Sequence, residues 1–145
     1  PKAGGKRKVF GIYPVLKEAE RLTMSIPGCV IVSGDTPKKE RERILEMFKV
    51  GEIPVVANVG VLTTGFDYPE LDTVVMARPT MSLAMYYQIV GRCIRPHKDK
   101  EAAWFVDLCG NINRFGEVSD LHLKDTGNGK WAVFSRGRQL TNVRF

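Results

Sequence analysis

The segment Gln88-Ile89-Val90-Gly91-Arg92-Cys93-Ile94-Arg95 gathers the side chains best suited to chemistry. At about 100° per residue, Gln88, Arg92 and Arg95 fall on one stripe of a helix, which leaves Ile89, Val90 and Ile94 to pack elsewhere. Two guanidiniums on one stripe suit a bound phosphate. Gly91 costs roughly 1 kcal/mol against Ala inside a helix, a cost that makes sense where another backbone or a ligand comes close. Pro96 disfavours helical geometry at Arg95, so this arginine sits where the helix ends. The plainer alternative is that arginines near a helix C-terminus complement its dipole, worth about 0.3–1 kcal/mol.

Two other segments invite the same question. Val61-Leu62-Thr63-Thr64-Gly65-Phe66-Asp67 offers two hydroxyls, a glycine for close backbone approach, and a carboxylate able to take a ribose hydroxyl or orient an arginine. A tight turn in which Asp67 caps amides is the structural alternative. Ser33-Gly34-Asp35-Thr36-Pro37 reads as a helix start, with Thr36 as hydroxyl N-cap and Pro37 at the first helical position. Such an N-terminus receives anions or is simply capped. His97 and His122 have no partners at metal or triad spacing, and His97 reads as a surface residue after Pro96.

The elements that must position these residues follow from hydrophobic patterning. Val9–Tyr13, Cys29–Ser33, Val55–Asn58, Thr73–Ala77 and Ala103–Leu108 read as short buried strands. Leu16, Ala19, Leu22 and Ile26 mark a first helix stopped by Pro27-Gly28. Ile44, Leu45 and Phe48 mark a second, ended by Gly51, and Ser82–Ile94 a third. Alternating strands and helices, with strands apolar on both faces, predict a parallel sheet covered on both sides. Ligands of such sheets bind beyond the carboxyl ends of the strands, and each candidate segment follows a strand. Beyond β-α alternation, Ile112, Phe115, Val118 and Leu121 suggest a short helix. Asn128-Gly129 and Arg136-Gly137 are turn signals, and Trp131–Ser135 and Gln139–Phe145 are expected to pair as a hairpin.

In order and spacing, these motifs resemble the second, C-terminal RecA-like domain of superfamily 2 helicases and translocases. The resemblance runs from about Val9 to about Gly116. Val9-Phe10-Gly11-Ile12-Tyr13 is similar to motif IV, and Ser33-Gly34-Asp35-Thr36 with Arg41 to motif IVa. Asn58 through Asp67 is similar to motif V, and Gln88–Arg95 to the Q-x-x-G-R-x-x-R form of motif VI. The resemblance implies that Arg92 and Arg95 face the ATP γ-phosphate held by another domain, Arg95 as arginine finger, with Gln88 also facing the nucleotide. It implies that Gly65 and Asp67 lie near the ribose and motif VI. Gly34, Thr36, Arg41, Thr63 and Thr64 are implied to track a nucleic-acid backbone. DEAD-box RNA helicases begin motif VI with His-Arg, where this chain has Gln88-Ile89. Asp107-Leu108-Cys109-Gly110-Asn111-Ile112-Asn113-Arg114-Phe115-Gly116 instead resembles the D-x-x-G-N-x-x-R-x-G of RadD/YejH-type bacterial DNA repair helicases and phage relatives. DNA rather than RNA is the implied partner.

What the chain does not contain bounds its activity. A motor of this class needs a G-x-x-x-x-G-K-[S/T] loop for phosphate. At Gly129-Lys130-Trp131, position 124 is lysine, and Trp131 replaces the hydroxyl that would bind magnesium. No D-E-x-x box follows a strand. The chain alone is therefore expected to bind no cofactor and to hydrolyse no ATP, with ATP and Mg²⁺ held mainly by an N-terminal RecA-like domain of the same polypeptide. The opening Pro1-Lys2-Ala3-Gly4-Gly5, without Met, suggests a processed or shortened chain. Residues 1–118 are expected to form the RecA-like domain and 119–145 a C-terminal hairpin extension. Of 145 residues, 43% are apolar and 26% charged, and the net charge of +6 permits a polyanionic partner. No apolar run reaches the roughly 20 residues of a membrane span. Cys29, Cys93 and Cys109 lack metal or disulfide spacing, which fits free thiols in the cytoplasm. Two other functions compete: a stand-alone, non-catalytic nucleic-acid-binding module of the same fold, and a small-molecule nucleotide enzyme on a Rossmann-like sheet. The missing G-x-G-x-x-G counts against the latter.

Overall fold

The computed structural model of the chain describes residues 8–60, 68–127 and 129–141. Five strands form one all-parallel sheet: β1 (Val9–Tyr13), β2 (Cys29–Val32), β3 (Val55–Val59), β4 (Thr73–Met76) and β5 (Trp104–Asp107), in the order β2-β3-β1-β4-β5. The helices are α1 (Leu16–Ser25), α2 (Lys38–Val50), α3 (Leu83–Cys93) and α4 (Asn111–Phe115). Register fixes which side chains share a face. Phe10, Val74 and Phe105 align across β1, β4 and β5. Phe10 meets Phe48 of α2, with ring centroids 6.3 Å apart, and Phe105 meets Tyr86 of α3 at 6.0 Å. Thus α2 and α3 cover one face, and the right-handed crossover places α1 on the other. The core between the sheet and α2–α3 is built from Phe10, Ile12, Val56, Leu71, Met76, Tyr86 and Ile89, all nearly inaccessible.

Local chemistry explains the element ends. Gly51 closes α2 in the left-handed region (φ 86°), its amide returning to Met47 and Phe48 carbonyls. Ser82 caps α3 by accepting the Met85 amide at 3.2 Å.

Two expectations are corrected, for Thr36 and β5, and two are refined, for the short helix and the hairpin. Thr36 does not cap α2: its hydroxyl accepts the Ser33 amide at 3.0 Å, and Pro37 occupies the cap position with no side-chain bond. The helix expected around Ile112–Leu121 is broken after Phe115 by Gly116 (φ 84°), then resumes as a 3-10 turn at Val118–Asp120. The C-terminal hairpin is part of a three-stranded antiparallel sheet of β6 (His122–Gly127), β7 (Lys130–Ser135) and β8 (Arg138–Gln139), in that order. Finally, β5 is not buried on both faces: it is an edge strand, and Trp104 remains 52% exposed and Val106 38% on the face away from α3.

Candidate functional site

The helix α3 is cut along its length into two stripes. Tyr86, Ile89, Val90 and Cys93 are buried, while Gln88 is exposed and Arg92 half-buried. As expected, Ile89 and Val90 pack inward and the polar stripe faces away from the core, but Ile94, expected to pack, is half exposed past the last turn. The end of the stripe lies somewhere less expected. The Cys93 thiol is 3.2 Å from the Trp104 carbonyl and 3.7 Å from that of Asp72, at the amino ends of β5 and β4. A helix after a parallel strand runs back along the sheet, so its C-terminus arrives at the edge opposite the loops. Burial raises the pKa of the Cys93 thiol and keeps it a packing group. Arg95 is exposed just past Ile94, the C-cap of α3. Arg92 and Arg95 together line a shallow hollow whose other walls are Tyr68 and Leu71.

Tyr68 is a firm wall. Its hydroxyl donates to the Lys49 carbonyl at 3.2 Å, and the Lys8 ammonium, 2.6 Å from the same carbonyl, also donates to that hydroxyl and lies over the ring. Burial, more than the neighbouring Glu70 charge, pushes the Tyr68 pKa well above its ordinary value. Gly91 is a surprise of a different kind. A Cβ there would meet no described atom within 4 Å, so no described part of the chain explains its presence.

At the carboxyl ends of the strands, the loop after β2 is a closed polar turn. Ser33 Oγ accepts the Asp35 amide at 3.3 Å, and Arg41 donates through Nη2 to the Thr36 carbonyl at 3.2 Å. Gly34 is exposed at its tip. Arg41 Nε is buried with no partner among the described residues. Thr63, Thr64, Gly65 and Asp67 lie outside the described residues. They are flanked by exposed Gly60 (φ 77°) just beyond β3, and by buried Tyr68 at the hollow.

The D-x-x-G-N-x-x-R-x-G run proves to be a structural clamp on that carboxyl edge. Asn111, fully buried, uses all four of its amide positions. It donates to Arg78 O (3.1 Å) and Asp107 Oδ1 (2.9 Å), and accepts from Thr80 N (2.9 Å) and Arg114 Nη1 (3.3 Å). Asp107 also accepts the Cys109 and Ile112 amides at 3.1 and 2.8 Å. Gly116 accepts the Tyr86 hydroxyl at 2.8 Å, and a Cβ at this position would overlap Ser135 Oγ.

Two features escaped the sequence. Lys100 sits in the charged run Lys98-Asp99-Lys100-Glu101, where nothing in the sequence marks it out, yet its ammonium is turned inward onto backbone carbonyls. Glu70, His97 and Asp99 come together, although the sequence offers His97 no partner. His97 presents Nε2 to Glu70 and Nδ1 to Asp99, each at 3.8 Å. The two carboxylates lie at opposite ring nitrogens, and Nδ1 also accepts the Asp99 amide at 3.3 Å, so the imidazole does not offer both carboxylates a shared ion.

A five-stranded parallel sheet flanked on both faces, with a basic helix end beside one edge, defines a RecA-like α/β domain. The chain belongs to the helicase conserved C-terminal domain family, which it matches over residues 8–97, and so is a C-terminal RecA-like domain of superfamily 2 helicases. It is 38% identical over 79 residues to a Saccharomyces cerevisiae protein named for an ATP-dependent helicase, IRC3, a match covering 54% of this chain and 12% of that protein. A 51.5 kDa protein of a Lactococcus phage is 34% identical over 104 residues, covering 70% of this chain and 23% of that one. The chain thus spans between about an eighth and a quarter of these relatives' length. Among solved structures, the Mss116p DEAD-box helicase domain 2 bound to an RNA duplex shares the fold, with a TM-score of 0.60 at 20% identity, over 75% of this chain and 44% of that chain. No helix among the described residues is long and apolar enough to cross a membrane.

Proposed function

We propose that this chain is the second motor domain of an ATP-dependent DNA helicase or translocase of the RadD/YejH type, completing a nucleotide site whose phosphates are held elsewhere. The observation that carries this reading is the hollow in which Arg92 and Arg95 meet Tyr68 and Leu71 at the end of α3. ATP and Mg²⁺ belong mainly to an N-terminal RecA-like domain of the same polypeptide. Magnesium there neutralises phosphate charge. The residues of this chain approach from the other side: Arg95 as the arginine finger, Arg92 beside it, and Gln88 on the same stripe. An arginine so placed stabilises charge building on the transferred phosphoryl group, worth about 10³–10⁵ in rate. Gly65 and Asp67 serve the ribose side, the Asp67 carboxylate taking a ribose hydroxyl or orienting an arginine.

Gly34, Thr36 and Arg41, along the opposite edge, follow a nucleic-acid backbone, and Thr63 and Thr64 serve the same backbone. Contacts to phosphates position a strand without reading its sequence, and the net charge of +6 suits them. DNA is favoured by Gln88-Ile89, which departs from the His-Arg of DEAD-box proteins, and by the Asp107–Gly116 run. RNA is the second reading, since a DEAD-box domain bound to an RNA duplex has the same fold. Competition between single-stranded DNA and RNA of one sequence decides between them. Residues 1–118 form the motor domain and 119–145 an extension with its own small sheet. Three free thiols fit a cytoplasmic protein. The decisive assay is ATP turnover by the purified chain, with and without DNA. None is expected, and robust turnover would sink the half-motor reading.

A further inference from the structure

Three backbone carbonyls converge on one ammonium group. Lys100 Nζ lies 2.8 Å from Cys93 O, 2.9 Å from Pro69 O and 3.1 Å from Leu71 O. An ammonium has three donors and no acceptor, so its capacity is filled by main chain alone. A lysine serving only solubility leaves its head in water and buries its stem. Here the head is turned in, and burial lowers its pKa. The turn that aims it is itself fixed, with the Lys100 amide donating to His97 O at 3.0 Å.

The identity of the three carbonyls gives this contact its meaning. Cys93 is the last residue of α3, with Arg92 immediately before it and Arg95 two residues after. The last carbonyls of a helix lack intrahelical donors, and a lysine supplies one here. Pro69 and Leu71 lie in the stretch that carries Tyr68 and leads into β4. Arg92 and Arg95 form one side of the hollow; Tyr68 and Leu71 form the other. Lys100 joins the backbones of both sides.

We propose that Lys100 is a positioning residue for the arginine pair. By fixing the end of α3 against the 69–71 backbone, it sets where Arg92 and Arg95 leave the helix and how they are aimed at a phosphate. This rests on the proposed role of those arginines. Methionine matches the stem but offers no donor. Arginine keeps the charge, but its planar fork directs its donors in a plane, where these carbonyls surround a point.

The test is a double-mutant cycle on DNA-stimulated ATPase in the full-length protein. Arg95→Ala alone tests the arginine assignment. Lys100→Met is expected to lower kcat on the order of 10–100-fold, as misaimed catalytic groups do, with the KM for ATP within about twofold. Lys100→Arg should restore part of the loss. Arg95→Ala combined with Lys100→Met should turn over no more slowly than Arg95→Ala alone, because a positioning group has nothing left to position. If the two losses multiply, or if Lys100→Met leaves kcat unchanged while Arg95→Ala abolishes turnover, Lys100 is not a positioning residue and the arginine assignment stands. If Arg95→Ala itself changes nothing, the proposed function fails and this inference with it. Should Lys100→Met fold poorly, Lys100→Arg carries the same cycle: an unchanged kcat for it, in a protein that melts normally, overturns the proposal.

Discussion

The two ends of one parallel sheet are finished in opposite ways. At the carboxyl ends, the loop after β2 is built from its own short polar side chains: Ser33 and Thr36 bond the turn's amides, and Arg41 bonds the Thr36 carbonyl. At the amino ends of β4 and β5, the backbone is pinned by Cys93 and Lys100, which leaves Arg92 and Arg95 to face outward. The first surface presents a shaped stretch of backbone, suited to a long, repetitive polyanion. The second presents two arginines beside a pinned helix end, in a hollow with Tyr68 and Leu71, a basic cluster suited to a single phosphate group. The helix α3 runs from the carboxyl edge to the amino edge, and its 11 residues span about 16 Å. A motor needs both contacts in one stiff body, because closure at one end must be felt at the other.

The largest expected effect tests that division directly. Arg95→Ala in the full-length protein should reduce DNA-stimulated ATPase by about 10³–10⁵-fold while ATP and DNA affinities stay near those of the parent. Arg41→Ala should do the reverse. It should weaken DNA binding roughly uniformly across sequences and lower the log–log salt slope by about one, leaving ATP affinity unchanged. Fluorescence anisotropy at several salt concentrations, run beside steady-state kinetics, measures both. If each substitution damages both functions equally, the two ends are not separate sites.

Next in size is Gly116→Ala, which probes whether the ends are structurally independent. The added Cβ collides with Ser135 Oγ, and the backbone is in the left-handed region at φ 84°. Strain and overpacking together predict a loss of roughly 2–5 kcal/mol, read as a lowered melting temperature of the chain. Amide exchange should accelerate around 107–120 and 133–139, which share the Asn111 and Gly116 contacts. Protection at 69–72 and 92–95 should persist, because Lys100 and Cys93 hold that corner through separate bonds. Loss of protection everywhere would show a single cooperative unit and dissolve the distinction.

What the sequence discloses follows the same line. The five strands are legible because each is a short apolar run, and α2 because Ile44 and Phe48 repeat at helical spacing before Gly51. The strand β6 is not, since His122–Gly127 is exposed at every position and carries no alternation. The Thr36 cap fails because a threonine hydroxyl bonds backward into a turn as readily as forward into a helix. The arginine stripe is visible from spacing, but its end of the sheet is not. Gln88 and Arg92 belong to a helix following a strand, with Arg95 just past its end, and only the helix direction carries the arginines to the amino edge. Lys100 stays hidden because a lysine within Lys98–Glu101 looks the same in sequence whether its head meets water or three carbonyls. Asp107, Asn111 and Arg114 are legible as a motif, but their work as a buried hydrogen-bond clamp is not.

The smallest effect is also the most discriminating. Gly91 lies inside α3, where glycine costs about 1 kcal/mol against alanine, and a Cβ there meets no described atom within 4 Å. Gly91→Ala should therefore stabilise the isolated chain by roughly that amount, seen as a small rise in the midpoint of urea unfolding. Nothing among the described residues of this chain opposes the methyl group. If the residue is kept small for a nucleotide or a partner domain closing over α3, the same substitution must slow ATP turnover in the full-length protein, although it makes the domain more stable. Stability and activity would then move in opposite directions from one added carbon, which places the missing neighbour of Gly91 outside this chain. A variant that is both more stable and fully active would show that the helix face beside Arg92 is never closed upon, and the arginines would lose their claim to a phosphate arriving from that side.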